Sequence, residues 1–210
     1  MQQDPPRRSN RERSQSTREK LIAAARRLFI DKTYAETGTP EIVAAAGLTR
    51  GALYHHFADK QALFQAVVER EAQAVAAEIE RRADTLHDPL EALIEGGNAF
   101  LAAMAAPGRT RLLLLDGPAV LGRAAMDEID NRHGNRTLRE GLAAAIETGT
   151  IRPLPLEPLT VLLAAVYDRA ALAQETGADP QDYRRTIAGM IESLGAAAGL
   201  SRRAPRPARR

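Results

Sequence analysis

Residues 37–60 read Thr-Gly-Thr-Pro-Glu-Ile-Val-Ala-Ala-Ala-Gly-Leu-Thr-Arg-Gly-Ala-Leu-Tyr-His-His-Phe-Ala-Asp-Lys. The polar groups in this stretch are mostly hydrogen-bond donors. Arg50 carries the planar fork that can bond guanine O6 and N7 together. Tyr54, His55 and His56 can donate to phosphates or touch base edges. Lys60 stands at the start of the next helix, where free backbone N–H groups also attract phosphate. Gly51 has no side chain to hold a partner away. His55 and His56 are adjacent, so on a helix they point in different directions and cannot chelate one metal ion. This is chemistry for gripping a polyanion rather than for breaking a bond.

Two short helices must present these groups. Thr39 is placed to cap the first, about Pro40–Ala46, with Pro40 and Glu41 in its opening turn. Ile42, Val43 and Ala46 face a core. Gly47 supplies the left-handed conformation of a tight turn, and Leu48 anchors it. Thr49 caps the second helix, about Arg50–Phe57, which buries Leu53 and Phe57 four residues apart and leaves Tyr54 on another face. Two short helices around a glycine turn form a helix-turn-helix, whose second helix can lie in the major groove.

The rest of the chain is also helical in pattern. Ala and Leu dominate, aromatic residues are 4%, and no strand-length alternation occurs. Helices are expected at about 17–32 (core Leu21, Ile22, Ala25, Leu28, Phe29), 59–84 (Leu63, Phe64, Val67, Val68, Val75), from Pro89 to Pro107-Gly108, 124–148 with Gly134 a break point, 159–175 and 179–198. The expected fold is all-α, with about nine helices. Residues 1–16 read as a disordered basic arm, 17–60 as the DNA-binding domain, 61–199 as a larger helical domain, and 200–210 as a disordered basic tail.

Charge follows this division. Residues 1–60 hold 11 Lys+Arg against 7 Asp+Glu, residues 61–200 hold 13 against 20, and the last ten hold five Arg and no acid. A basic front on an acidic body fits a protein that meets polyanions at one end. Cys is absent, which removes disulfides, thiol nucleophiles and Cys-based metal sites. No apolar run approaches the roughly 18–20 residues that span a bilayer. No signal-like segment opens the chain, so a cytoplasmic location is expected. Hydrolase, metalloprotease, Walker and dinucleotide-binding motifs are all missing, so no enzyme activity, cofactor or metal is expected.

Thr49-Arg-Gly-Ala-Leu-Tyr-His-His-Phe57, then Asp59-Lys60 and Leu63-Phe64, resembles the DNA-binding signature of the TetR family of bacterial transcriptional regulators. Thr17-Arg-Glu-Lys-Leu-Ile-Ala-Ala-Ala-Arg-Arg-Leu-Phe29 resembles that family's first helix. The resemblance covers about residues 17–66. Pro40, where a polar residue is more usual, and Val43, where Ala is common, depart from the pattern without removing it. The resemblance implies a three-helix DNA-binding domain, a helical ligand-binding and dimerisation domain, and repression relieved by a small molecule. It sets Thr39, Thr49, Arg50, Gly51, Tyr54, His55, His56 and Lys60 at positions that face DNA. The implied partners are palindromic operator DNA, a second copy of the chain and a small-molecule effector.

The effector site is the least legible part. Asn98, Tyr167 and Asp168 are polar residues amid apolar neighbours, and a buried polar group needs a partner that a ligand can supply. They are the candidate effector-binding residues. Asp116 reads instead as part of an Asp-Gly-Pro turn. Two other functions fit the same residues: a DNA-bound dimer controlled by a partner protein, and a helical enzyme with an incidental helix-turn-helix.

Overall fold

The computed structural model describes residues 10–196. They form ten α-helices and one π-helical turn, with no strand among the described residues, which meets the all-α expectation. The helices are α1 (Asn10–Asp31), α2 (Thr39–Ala46), α3 (Arg50–His56), α4 (Lys60–Ala83), α5 (Pro89–Met104), α6 (Gly117–Leu121), α7 (Arg123–Arg132), α8 (Gly134–Glu147), α9 (Leu156–Glu175) and α10 (Pro180–Ala196). The π-helical turn covers Arg111–Asp116.

Two boundaries differ from expectation. α1 begins at Asn10 rather than near Thr17, so Arg11 and Arg13 stand on a helix rather than in an arm. Residues 10–16 bury no face, so they carry no 3.6-residue apolar pattern to read. Their helix is held by local bonds, such as Thr17 Oγ1 to the Arg13 carbonyl at 2.9 Å and Gln15 Nε2 to Glu19 at 3.0 Å. Pro5, Pro6, Arg7, Arg8 and the tail 200–210 lie outside the described residues. The expected helix 124–148 is two helices, because His133 leaves helical geometry (φ −125°, ψ −97°) just before Gly134.

The chain divides into two compact units. The first runs past the expected boundary at residue 60 to Glu71, and adds Arg111–Arg123. Helix α1 packs on α2 and α3, and α2 packs on α3. Leu21, Ile22, Ala25, Phe29, Ile42, Leu53, Leu63 and Phe64 are buried in its core. Phe29, Tyr34 and Phe64 form a triangle of rings with centroids 5.0–5.7 Å apart. Edge and tilted contacts of this kind suit the ring quadrupole. Glu71, 5% exposed, receives a two-pronged bond from Arg26 at 2.8 and 3.1 Å, which keeps its charge from being stranded in the core.

The returning segment fits this unit by specific bonds. The last turn of α1 has no basic residue to offset its exposed carbonyls. Arg111 supplies that charge from far along the chain: its guanidinium donates to the carbonyl of Phe29 and, at 3.5 Å, to that of Lys32. Asp116 holds the same guanidinium at 3.2 Å. Gln61 on α4 donates to the Val120 carbonyl at 2.9 Å.

The second unit holds residues 72–110 and the described residues from Ala124 onward. Helix α5 is its centre, packed by α8, α9 and α10. Asp88 caps α5, accepting from the N–H groups of Leu90 and Glu91 at 2.9 and 2.8 Å, with Pro89 in the first turn. Leu93, Leu101, Met104, Met126, Ile129, Leu142, Leu163 and Ile191 line its core. No helix of the described residues is long and apolar enough to cross a membrane.

Candidate nucleic-acid interface

The helix-turn-helix is assembled from local rules. Gly38, not Thr39, occupies the cap of α2: its N–H donates to Glu41 at 3.3 Å. Glu41 is held in turn by Lys32 at 2.5 Å, which keeps the carboxyl below its ordinary pKa. Thr39 therefore lies in the first helical turn with its hydroxyl free of capping. Gly47 takes the left-handed conformation (φ +64°) and closes α2, its N–H bonding the Ala44 carbonyl and that of Leu48 the Val43 carbonyl. Thr49 then caps α3, accepting from Ala52 N–H at 3.2 Å.

Helix α3 has two faces. Leu53 and Phe57 are buried beneath it. Thr49, Arg50, Gly51, Tyr54 and His55 are exposed, and His56 is half-buried. The exposed groups are organised. The Arg50 guanidinium lies 5.6 Å from the Tyr54 ring centroid. The neighbouring Thr39 hydroxyl, first, and the Arg50 side chain lower the pKa of the Tyr54 phenol. Thr39, Arg50 and Tyr54, from two helices, thus share one donor patch. A bulkier residue at Gly51 would meet little of the protein itself (nearest contact Thr49 Oγ1 at 3.9 Å), so the space it leaves faces outward.

His56 and Lys60 are placed differently. The rings of His55 and His56 stand edge to face at 5.1 Å. Burial, then the neighbouring charges of His55 and Arg18, lower the His56 pKa and favour its neutral form. Lys60 turns inward: its ammonium donates to the carbonyls of Tyr34 (2.9 Å) and Thr37 (3.1 Å) and lies 4.2 Å from the Tyr34 ring. Two of its three N–H groups are thereby spent on the loop between α1 and α2.

The three residues expected at an effector site have different surroundings. Asn98 lines an opening of about 420 Å³ between α4, α5 and α10. Tyr167, 6% exposed, instead wedges against α5: a Cβ on Gly97 would lie 1.8 Å from its hydroxyl oxygen. Its ring meets Phe100 edge to face at 5.7 Å, and burial raises its pKa. Asp168 is half-buried on α9 and does not line that opening. Arg82 and Arg184, which do line it, escaped notice in the sequence, where an arginine on a helix reads as a solvated face. Among the described residues no group of three metal-binding side chains converges.

A family model described as tetracyclin repressor-like, C-terminal domain, matches residues 90–197. Another, described as bacterial regulatory proteins, tetR family, matches residues 21–67. The HTH-type transcriptional regulator AcrR of Shigella flexneri is 37% identical over 108 residues, which is 51% of this chain and 50% of that protein. The chain spans about half the length, or less, of the curated relatives it matches. Among solved structures, a TetR-family transcriptional regulator from Pectobacterium atrosepticum is 31% identical, with 89% of this chain and 95% of that one aligned at a TM-score of 0.70. The regulator FadR from Bacillus subtilis, in complex with stearoyl-CoA, shares the fold at a TM-score of 0.73 and 15% identity, over 83% of this chain and 97% of that one. With a family model covering more than half of the sequence and a second on the helix-turn-helix, the chain belongs to the tetR family, a family of bacterial transcriptional regulators rather than enzymes.

Proposed function

We propose that this protein is a homodimeric transcriptional repressor that binds a palindromic operator and is released by a small molecule. The observation that carries the DNA-binding part is the exposed patch of Arg50 and Tyr54 beside Gly51 and His55, with the half-buried Thr39 at its edge. Arg50 reads a base edge, Gly51 admits the backbone, and Tyr54 and His55 grip phosphate or base. Thr49 and His56 border the patch. Lys60 acts mainly by fixing the loop that sets α2 against α1. Two such helices, about 34–36 Å apart in a dimer, match successive major grooves. The regulator works in the cytoplasm, where bacterial DNA is.

Support for the dimer comes from α9 and α10. Val161 and Leu162 are 63% and 67% exposed, and Met190 is 44% exposed. Large apolar side chains left open on two helices suit burial against the same helices of a second copy, in a four-helix bundle. Support for the effector is the opening beside Asn98, together with the stearoyl-CoA held by a protein of the same fold. The effector's leverage is its differential affinity for the DNA-competent and released states, about 1–3 kcal/mol.

Titrating the full chain into a labelled fragment of its own promoter region at low ionic strength tests this reading. Saturable binding that weakens steeply with added salt is expected. Indifference to duplex DNA, or a monomer at micromolar concentration, would end it.

A further inference from the structure

The opening between α4, α5 and α10 has an unusual charge balance. Two of its carboxylates are engaged: Glu78 is ion-paired with Arg81, and Glu95 accepts from Asn98 Nδ2 at 3.0 Å. Arg185 is held by Asp182 at 2.6 Å. That leaves Arg82 and Arg184. Among the described residues neither makes a salt-bridge contact; Arg82 acts on Glu78 only through its charge, and the Nε of Arg184 is buried with no hydrogen-bond acceptor. A buried, charged donor without an acceptor is costly, and a fork of N–H groups is matched by a carboxylate. Set against Glu95, which is bonded only to a neutral amide, the two guanidiniums without a salt-bridge contact leave an excess of one positive charge. The remaining wall is the methyl groups of Ala99, Ala102 and Ala188. The volume, about 420 Å³, falls within the roughly 300–1,000 Å³ of small-molecule sites.

We infer that this opening binds a small organic acid: a single carboxylate on Arg184 and Arg82, with an apolar body lying on the alanine wall. Asn98 has a second amide hydrogen and a carbonyl left to orient it. The inference rests on the effector reading above and gives it a ligand class. A fully apolar ligand would leave both guanidiniums unanswered, and a cation would be repelled by them. A dianion would exceed the charge available and meet Glu95.

The test uses the full chain, with 4-phenylbutanoate and its neutral amide as probes, read by calorimetry and thermal shift. The acid should bind at millimolar concentration or below, and the amide about 10- to 100-fold more weakly. Arg184→Met keeps the aliphatic stem and removes the fork. It should reduce acid binding by a similar factor and abolish the preference for acid over amide, and Arg82→Met should do so to a smaller extent. Circular dichroism of the variants should match the parent. Equal binding of acid and amide, no binding of the acid, or unchanged acid affinity in Arg184→Met would overturn the inference. The same probe added to the promoter complex separates the two readings. Acid that binds with this Arg184 dependence while DNA stays bound supports the site and defeats release by this ligand. Intact DNA binding without acid binding defeats the site alone.

Discussion

The Arg50 guanidinium stands 5.6 Å from the ring centroid of Tyr54 on α3, and Thr39 of α2 lies beside the same phenol. This cluster stands on the outward side of the DNA-reading unit, where Tyr54 is 44% exposed. Thr39→Val, which keeps the shape and loses the hydroxyl, should weaken binding to the promoter fragment severalfold and leave thermal stability nearly unchanged. Arg50→Ala should cost about 1–3 kcal/mol on the specific site and little on scrambled duplex if it reads a base. Fluorescence anisotropy against both duplexes measures this. An equal loss on the two would reassign Arg50 to the phosphates.

Gly97 exists in its present form because of Tyr167. Any side chain there meets the phenol ring at 1.8–2.7 Å. Gly97→Ala should therefore destabilise the protein by about 1–3 kcal/mol through overpacking, despite alanine's better helix propensity. Pairing it with Tyr167→Leu should recover part of the loss, a non-additivity that urea unfolding of the single and double variants would reveal.

Arg111 is the capping charge of a helix that ended some 80 residues earlier. Arg111→Met should lower stability by about 1–2 kcal/mol by removing a cation from the α1 carboxyl end. Asp116→Asn should cost less, about 0–1 kcal/mol, because a partly exposed ion pair contributes little. Chemical denaturation of the two variants should preserve that order.

His56 gives the fold a pH dependence of defined sign. Its folded pKa lies below the ordinary 6.5, chiefly because it is partly buried and secondarily because of His55 and Arg18. The unfolded chain therefore takes up the proton first as pH falls. Stability is full above about 6.5 and declines as pH drops from there to the lowered folded value. Melting temperatures should fall modestly over that window. His56→Gln should flatten the decline, and an unchanged slope would assign it to other groups.

Much of this was legible from the chain alone, for a physical reason in each case. Leu53 and Tyr54 are neighbours on a short helix, so the burial of one and the exposure of the other follow from one angular period, while Phe57 is buried from the extended cap just past the helix. Gly47 had to be left-handed to close a turn that tight. Other features were hidden because they depend on contacts distant in sequence. Nothing near Lys60 shows that its ammonium is spent on the carbonyls of Tyr34 and Thr37. The cap of α2 moved to Gly38 because Glu41 reaches back to the glycine N–H, a competition between two plausible starts one residue apart. That Tyr167 packs where Gly97 of α5 lacks a side chain is likewise set by a contact distant in sequence.

The union of Arg111–Arg123 with the first seventy residues bears on how portable this reading head is. A fragment ended at Glu71 would lose the guanidinium that finishes α1 and the carbonyl that Gln61 binds. Transplanting its specificity onto another scaffold therefore takes two grafts, one from each end of the loop, and an evolutionary swap of the front half alone would leave a hybrid with an unfinished foundation.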